Sequence, residues 1–299
     1  MIAVKVPATT ANLGPGFDSL GAALGLYNVF HVEKTNGCKE FHWGTGSPGV
    51  SERDNLVLRT MDHVFRHFRF SCQGFRVESH RCCIPMNRGL GSSASAVAAG
   101  VLAANYLMDG SLPAETMQRL AVEMEGHPDN VIACMLGGVR VSVVDAQGGV
   151  TTGAVAVHPS LQFVIVIPNT ELSTARARAV LPETYTRGDL VHNVSRTALL
   201  LSALANGHTG QLRLALDDRA HQPYRLPLIP AAQEVMDICR DVGSYGEFVS
   251  GAGPSIVALT SNAAKGFAPT LQRRLDSSGL HWKVLPLSLC WQGASMEVM

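Results

Sequence analysis

The chain of 299 residues has no net charge, because 24 lysines and arginines balance 24 aspartates and glutamates. With no field of either sign, nothing at the scale of the whole molecule points to nucleic acid or to an anionic membrane surface. Its basic residues are scattered, without the run that marks a basic tail. Long apolar runs are missing too. The longest, LQFVIVIP at 161–168, has the length of a strand and falls far short of a membrane span. The first residues, MIAVKVPATTANLG, lack a charged region followed by an apolar stretch, so no secretory signal is expected. Cysteines stand at positions 38, 72, 82, 83, 134, 239 and 290, yet no C-x-x-C occurs. Their odd count and irregular spacing argue against a zinc site or a disulfide framework. Small buried hydrophobes in a reducing cytoplasm are the expectation for most of them. No internal repeat or low-complexity segment is found. At 46% hydrophobic residues, the chain can build one large or two ordinary domains with real cores.

The first half reads as short strands and turns: MIAVKVPA, YNVFHVEK and the alternating GFRVESH, with a helix over NLVLRTMDHVFRHF before the last of these. A long helix is expected from Ser92 to Met108, ended by DGSLP, and a second from about Pro113. GGVRVSVVDA and VTTGAVAV read as strands. The second half opens with FVIVIP as a buried strand. Helices are expected near 193–206, 211–219 and 230–240, then the strand SIVALTS, a helix near 265–279 and a last strand around HWKVLPL. This mixed order argues α+β rather than a doubly wound sheet. The natural cut falls near 150–160, which gives domains of 1–155 and 156–299.

The most informative stretch is PMNRGLGSSASAVAAG, from Pro85 to Gly100. Glycine-rich turns that feed a helix commonly hold an anion, through unpaired backbone amides and the helix dipole. A P-loop is excluded, because the lysine of G-x-x-x-x-G-K-[ST] is absent. A dinucleotide fingerprint matches by spacing, but it requires a strand about 20 residues further on, and a second helix follows instead. A loop whose amides surround a triphosphate remains, with Ser92 and Ser93 offering hydroxyls to a metal ion or to phosphate. The plainer alternative is a helix start with serine caps.

Other stretches carry polar groups in unusual settings. TTANLGPGFDSLG has little that could fill a core. It reads either as turn chemistry or as a substrate loop in which Asp18 receives an ammonium and Asn12 a hydrogen bond. A substrate carboxylate is best held by a planar guanidinium. Arg176, Arg178, Arg219 and Arg225 are the candidates. Glu123 and Glu125 end a helix before GHPDN, and either carboxylate suits Mg²⁺. Asn130 cannot act as a general base, whereas His127 and Asp129 lie nearby. SGAGPSIVAL reads as a hairpin turn, or as a loop in which Gly251 and Gly253 let the backbone approach a ligand. His63 and His67, four apart, are expected to decorate a helix surface.

The glycine loop does not stand alone. PxxxGLGSSA resembles the nucleotide loop of the GHMP kinases, and PATTANLGPGFDSLG, EMEGHPDNVIACMLGG and SGAGPSIVAL fit that family in the right order. Together with PNTELSTARARAVLP they resemble the branch that phosphorylates L-homoserine. The resemblance spans nearly the whole chain. It implies an N-terminal α+β domain like ribosomal protein S5 domain 2, a ferredoxin-like C-terminal domain, ATP and Mg²⁺ as cofactors, and cytoplasmic threonine biosynthesis. It assigns nucleotide binding to Asn55, to Pro85, Met86, Asn87, Arg88, Gly89, Leu90, Gly91, Ser92, Ser93 and Ala94, and to Gly251 and Gly253. Ser93 and Glu125 would ligate the metal. Asn12, Asp18 and His127 would contact the amino acid, with Arg178 and Arg225 clamping its carboxylate or the transferred phosphate and Thr174 facing the same site. Asn130 stands where mevalonate kinases carry an aspartate, so catalysis without a dedicated base is expected. The family is commonly dimeric. Its other branches act on mevalonate-like or sugar alcohols, and non-catalytic metabolite-binding relatives also exist. An acceptor without an ammonium gives Asp18 nothing to bind.

Overall fold

The computed structural model describes residues 1–44, 51 and 54–299. Two sheets organise them. The first contains β1 (Ile2–Ala11), β2 (Leu20–Lys34), β3 (Lys39–Trp43), β4 (Phe75–Cys82), β5 (Val139–Val144), β6 (Val150–Val155) and β11 (Ser295–Val298). Its order is β11-β1-β2-β4-β3, and β5 and β6 continue from the start of β2. Among the described strands, only β3 and β4 pair in parallel. The fifteen residues of β2 let it serve three partners: β1 along most of its length, β4 from Asn28 onward and β5 at Leu20–Ala22.

Helices α1 (Leu56–His67), α2 (Ser92–Leu107), α3 (Ala114–Glu125) and α4 (Pro128–Leu136) cover the inner face of this sheet. Small residues set their spacing. A side chain at Gly100 of α2 would meet Thr60 of α1 at 2.6 Å, and one at Gly21 of β2 would lie 1.9 Å from the Asp129 carbonyl of α4. Val4, Val6, Phe30, Val77, Val64, Val101 and Leu120 fill the space between sheet and helices.

The second sheet, ordered β10-β7-β9-β8, comprises β7 (Leu161–Ile167), β8 (Gly246–Val249), β9 (Ile256–Ser261) and β10 (Lys283–Leu287), all antiparallel. Helices α5 (Thr174–Ala179), α6 (Arg187–Asn206), α7 (Thr209–Ala215), α8 (Gln222–Arg225) and α9 (Ala232–Val242) separate β7 from β8, and α10 (Phe267–Ser277) separates β9 from β10. This is a ferredoxin-like order, and the whole is α+β as expected. Both faces of β7 are buried. Val164 and Val166 meet α9 and α10, while Phe163 and Ile165 join a cluster that includes Leu20 and Leu24 of the first sheet. One core therefore runs through both halves.

Several boundaries differ from the sequence expectations. The helix expected near 193–206 begins at Arg187, because Thr186 and Asp189 form a capping box. The helix expected over 211–219 ends at Ala215. Beyond it, the Asp218 carboxylate accepts the N–H groups of Ala220, His221 and Gln222, which starts a new turn. Neither α4 nor α5 was anticipated. The chain passes from the first sheet to the second between β6, which ends at Val155, and β7, which starts at Leu161, and its tail comes back to the first sheet. Ser295–Val298 returns to pair with β1, and Leu289 bridges to Leu24. Among the described residues, no helix is long and apolar enough to cross a membrane.

Candidate active site

A cleft of about 340 Å³ opens between the two sheets, lined from the first by the glycine loop and from the second by α5, Arg225 and the β8–β9 turn. The loop takes left-handed backbone at Asn87, Gly89 and Gly91. A Cβ at Gly89 would sit 2.3 Å from the Ser250 carbonyl, and one at Gly91 would sit 1.8 Å from Thr9 Oγ1. Glycine is thus required at both positions by neighbours as well as by φ. Gly91 precedes α2 without any side-chain cap, which leaves the first-turn amides of a sixteen-residue helix to face the cleft. The Ser250 hydroxyl donates to the Gly89 carbonyl at 2.6 Å and lies 2.8 Å from the Thr10 hydroxyl. SGAGPS is therefore both the plain hairpin turn between β8 and β9 and a brace for the loop.

A polar corner forms where α3 meets α4. Gly126 ends α3 in left-handed backbone, His127 is extended, and Pro128 starts α4. This turn brings Glu125, His127 and Asp129 together. Ser93 Oγ donates to Glu125 at 2.7 Å, and His127 Nε2 lies 3.9 Å from the same carboxylate. Burial pushes the Glu125 carboxyl above its ordinary value, with His127 and Ser93 opposing the shift in part. His127 Nδ1 sits 2.6 Å from Asp129. Burial disfavours the imidazolium, but the hydrogen bond and charge of Asp129, helped by Glu125, raise its proton affinity overall. Asn130 Oδ1 accepts the Thr9 hydroxyl at 2.7 Å. Glu123, by contrast, lies on the outer side of α3 and pairs with Arg119 and His63.

The loop of residues 12–18 supplies the opposite wall. Asn12, Leu13, Gly14 and Asp18 all take positive φ. Asn12 lines the cleft and is 2% exposed; its side chain donates to the Gly251 carbonyl at 2.9 Å and accepts the Asp18 N–H at 3.0 Å, which ties the loop to the β8–β9 turn. Asp18 receives two hydrogen bonds from Arg178, at 2.7 and 3.0 Å. Arg178 sits one turn beyond Thr174 on α5, so both face the cleft, while Arg176 points elsewhere. Arg225 is buried and donates to the Ala177 and Gly251 carbonyls. Burial, with repulsion from Arg178, lowers its pKa to about 10 against the pull of Asp18, Asp129 and Asp218. The Phe17 ring lies 5.2 Å from the Arg225 guanidinium and 5.7 Å from that of Arg178.

A further part of the lining is more apolar. Phe41 and Trp43 on β3, Phe30 on β2 and Ile84 border the cleft together with Asn55. Asn55 caps α1 through its side-chain oxygen, which accepts the Val57 and Leu58 N–H groups. Its amide nitrogen is buried without a hydrogen-bond partner among the described residues. Such a donor beside aromatic rings is matched to an acceptor on a flat heterocycle.

Of the residues anticipated from the sequence, Met86, Asn87, Arg88, Gly89, Leu90, Gly91, Ser92, Ser93, Gly251 and Gly253 all line the cleft. Two do not: Pro85 lies outside the lining, and Ala94 is buried inside α2. Asn87 and Arg88 turn their side chains onto Pro168, Asn169 and Glu171, which ties the loop to the second half of the chain. Phe17, Asn28, Phe41 and Trp43 were missed. Asn28 holds the approach to the loop by accepting the Cys83 and Ile84 N–H groups, a contact with no local signature. Elsewhere, His31 and His80 lie beside Glu78 on the first sheet. Their rings stack at 4.2 Å and 21°, so no ion can lie in the plane of both. His63 and His67 pair with Glu123 and Arg119 on the helix surface, as expected.

The same chain matches two family models: the GHMP kinases N terminal domain over residues 55–138 and the GHMP kinases C terminal over residues 200–275. It is 38% identical to the homoserine kinase of Clostridium acetobutylicum over 95% of this chain and 96% of that one. It is 40% identical to the homoserine kinase of Caldicellulosiruptor saccharolyticus over 99% and 96%. The crystal structure of homoserine kinase from Cytophaga hutchinsonii superposes with a TM-score of 0.85 at 26% identity, covering 99% of this chain and 97% of that one.

Proposed function

The chain belongs to the GHMP kinase family, and on that premise we propose that it transfers the terminal phosphoryl group of ATP to the side-chain hydroxyl of L-homoserine, a step of cytoplasmic threonine biosynthesis. The observation that carries this reading is the pairing of Asp18 with Arg178, backed by buried Arg225. One carboxylate and two guanidiniums match an acceptor with one ammonium and one carboxylate. On binding, the ammonium takes Asp18 and the carboxylate takes the guanidiniums.

From there the polar groups are continuous toward the glycine loop. Asp18, His127 and Asp129 lie within 4.8 Å of one another, and His127 leads to Glu125 and Ser93. The donor set at Ser93 and Glu125 fits Mg²⁺: a hydroxyl and a buried carboxylate, both hard oxygen ligands, at an uncapped helix N-terminus. When bound there, the ion supplies positive charge to the phosphates. The amides of the loop and of α2 stabilise the same charge, and Asn55 with Phe41 and Trp43 receives the adenine.

In the reaction, the homoserine hydroxyl oxygen forms a bond to the γ-phosphorus. The bond from that phosphorus to the bridging oxygen breaks, and ADP leaves. The hydroxyl proton passes to a phosphate oxygen or to solvent. No dedicated base is needed in this reading: Asn130 cannot accept a proton, and His127 is oriented by its 2.6 Å contact with Asp129. Arg178 and Thr174, on one face of α5, lie where they orient the acceptor and offset charge during transfer.

The test is a coupled ADP-release assay with Mg²⁺-ATP, comparing L-homoserine with mevalonate, galactose and L-serine. Stimulation by homoserine alone is expected. Stimulation by another of these alcohols, or by none, overturns the assignment of the acceptor.

A further inference from the structure

His221 lies beneath the acceptor side of the cleft, fully buried, and takes no part in the reaction as described. It stands just before α8, and its two ring nitrogens face separate parts of the chain. Nε2 lies 2.8 Å from the Gly14 carbonyl in the 12–18 loop, and Nδ1 lies 3.2 Å from Arg225 Nη1. A carbonyl can only accept a hydrogen bond and a guanidinium can only donate one. Both contacts are satisfied by one form alone, a neutral imidazole with its proton on Nε2 and its lone pair on Nδ1. The ring face packs on Phe17, with centroids 5.5 Å apart.

The charged groups around the ring agree with this form. Asp218 Oδ2 lies 3.6 Å from Nε2, but that oxygen already accepts the His221 and Gln222 N–H groups. Asp18 acts from the far side of the loop, and Arg225 faces Nδ1 directly. Burial lowers the proton affinity of the ring, Asp218 opposes this, Arg225 reinforces it, and the balance lies below the ordinary histidine value.

Both attachments lead to the acceptor groups. The Gly14 turn carries Phe17 and Asp18, and it is closed from behind, since a Cβ at Gly14 would meet the Leu216 carbonyl at 2.6 Å. Arg225 in turn binds the Ala177 carbonyl of α5, the helix of Arg178. We propose that His221, a neutral imidazole held between the Gly14 carbonyl and the Arg225 guanidinium, is a positioning residue that sets the spacing of Arg225 and the Phe17–Asp18 corner, and with it the grip on an acceptor bearing both an ammonium and a carboxylate. The proposal rests on the reading of this region as the L-homoserine site.

Three substitutions test it in the full chain. His221→Asn keeps an acceptor near the Nδ1 position, His221→Gln keeps a donor near the Nε2 position, and His221→Leu keeps neither. The Leu variant is expected to raise KM for homoserine about tenfold or more, with KM for ATP within about twofold of wild type. The Asn and Gln variants each recover part of this loss, and the Asn variant decides the matter should the Leu variant fail to fold. Wild-type kcat/KM for homoserine falls on acidification as the ring gains a second proton, and the Asn variant lacks this component. A folded Leu or Asn variant with wild-type KM for homoserine overturns the proposal, as does an equal rise in both KM values. A readout independent of turnover is ¹⁵N NMR of the histidine-labelled protein. A neutral Nε2–H ring at neutral pH is expected, and a doubly protonated or Nδ1–H ring overturns the proposal. Absence of homoserine turnover in the wild type sinks the substrate reading instead, while the NMR result still decides the state of His221.

Discussion

Glu123 and Glu125 show how much one residue's direction decides. Two positions apart on a helix, side chains point to nearly opposite sides, and here only Glu125 reaches Ser93 while Glu123 pairs with surface cations. Glu125→Gln is expected to lower kcat about 100-fold and to raise the Mg²⁺ concentration needed for half-maximal rate, because the carboxylate proposed to hold the ion loses its charge. Glu123→Gln should leave both within about twofold, and a Mg²⁺ titration of the two variants checks the contrast. Acid stability is a second expectation at this scale. The folded value of His221 lies below the unfolded one, so its contribution to stability is complete above the unfolded value of about 6.5 and is lost as pH falls through it. The melting temperature of the wild type should therefore drop more than that of His221→Asn between about pH 7 and about pH 5, as read by circular dichroism. Unusual composition in short contiguous stretches made Asp18 and the glycine loop legible, whereas Arg178 was singled out from four candidate arginines only by the family resemblance. The sequence hid Phe17 and His221, because their meaning depends on contacts between distant parts of the chain, such as that of His221 with the Gly14 carbonyl 207 positions away.

At the scale of elements, α1 illustrates one side chain with two duties. The oxygen of Asn55 caps the helix, and its buried nitrogen, at the lining of the cleft, has no hydrogen-bond partner among the described residues. Asn55→Ser retains a good cap and removes the amide donor. Its thermal stability should stay near wild type while KM for ATP rises about tenfold. Asn55→Ala should in addition lose about 1 kcal/mol in urea unfolding. Segments such as α2 and β7 were readable from sequence because each is a continuous apolar run bounded by glycine or proline punctuation. Short elements were not. The six residues of α5 carry too little pattern to be recognised, although that helix delivers Thr174 and Arg178 to the site. Nor could sequence show that β3 would pair in parallel with β4 and bring Phe41 and Trp43 to the cleft.

Across the whole molecule, the two halves are fastened at several points. A shared core joins Leu20 and Leu24 to Phe163 and Ile165. Arg88 crosses to Pro168 and Asn169, and the last strand returns to β1. Removing residues 295–299 bares the edge of β1 and is expected to lower the melting temperature by several degrees and to promote aggregation. Differential scanning calorimetry with light scattering measures both. The Asp18–Arg178 pair is another of these fastenings, since its members come from opposite sides of the cleft and are bonded to each other before any acceptor arrives. An amino acid can replace each partner with one of its own ends, so the exchange leaves no charge behind. A hydroxy acid can relieve only the guanidinium and abandons the carboxylate, while an amino alcohol does the reverse. Discrimination against such half-matched molecules thus comes from the charge that each would strand at the wall of the cleft, a penalty set before the hydroxyl ever approaches phosphorus.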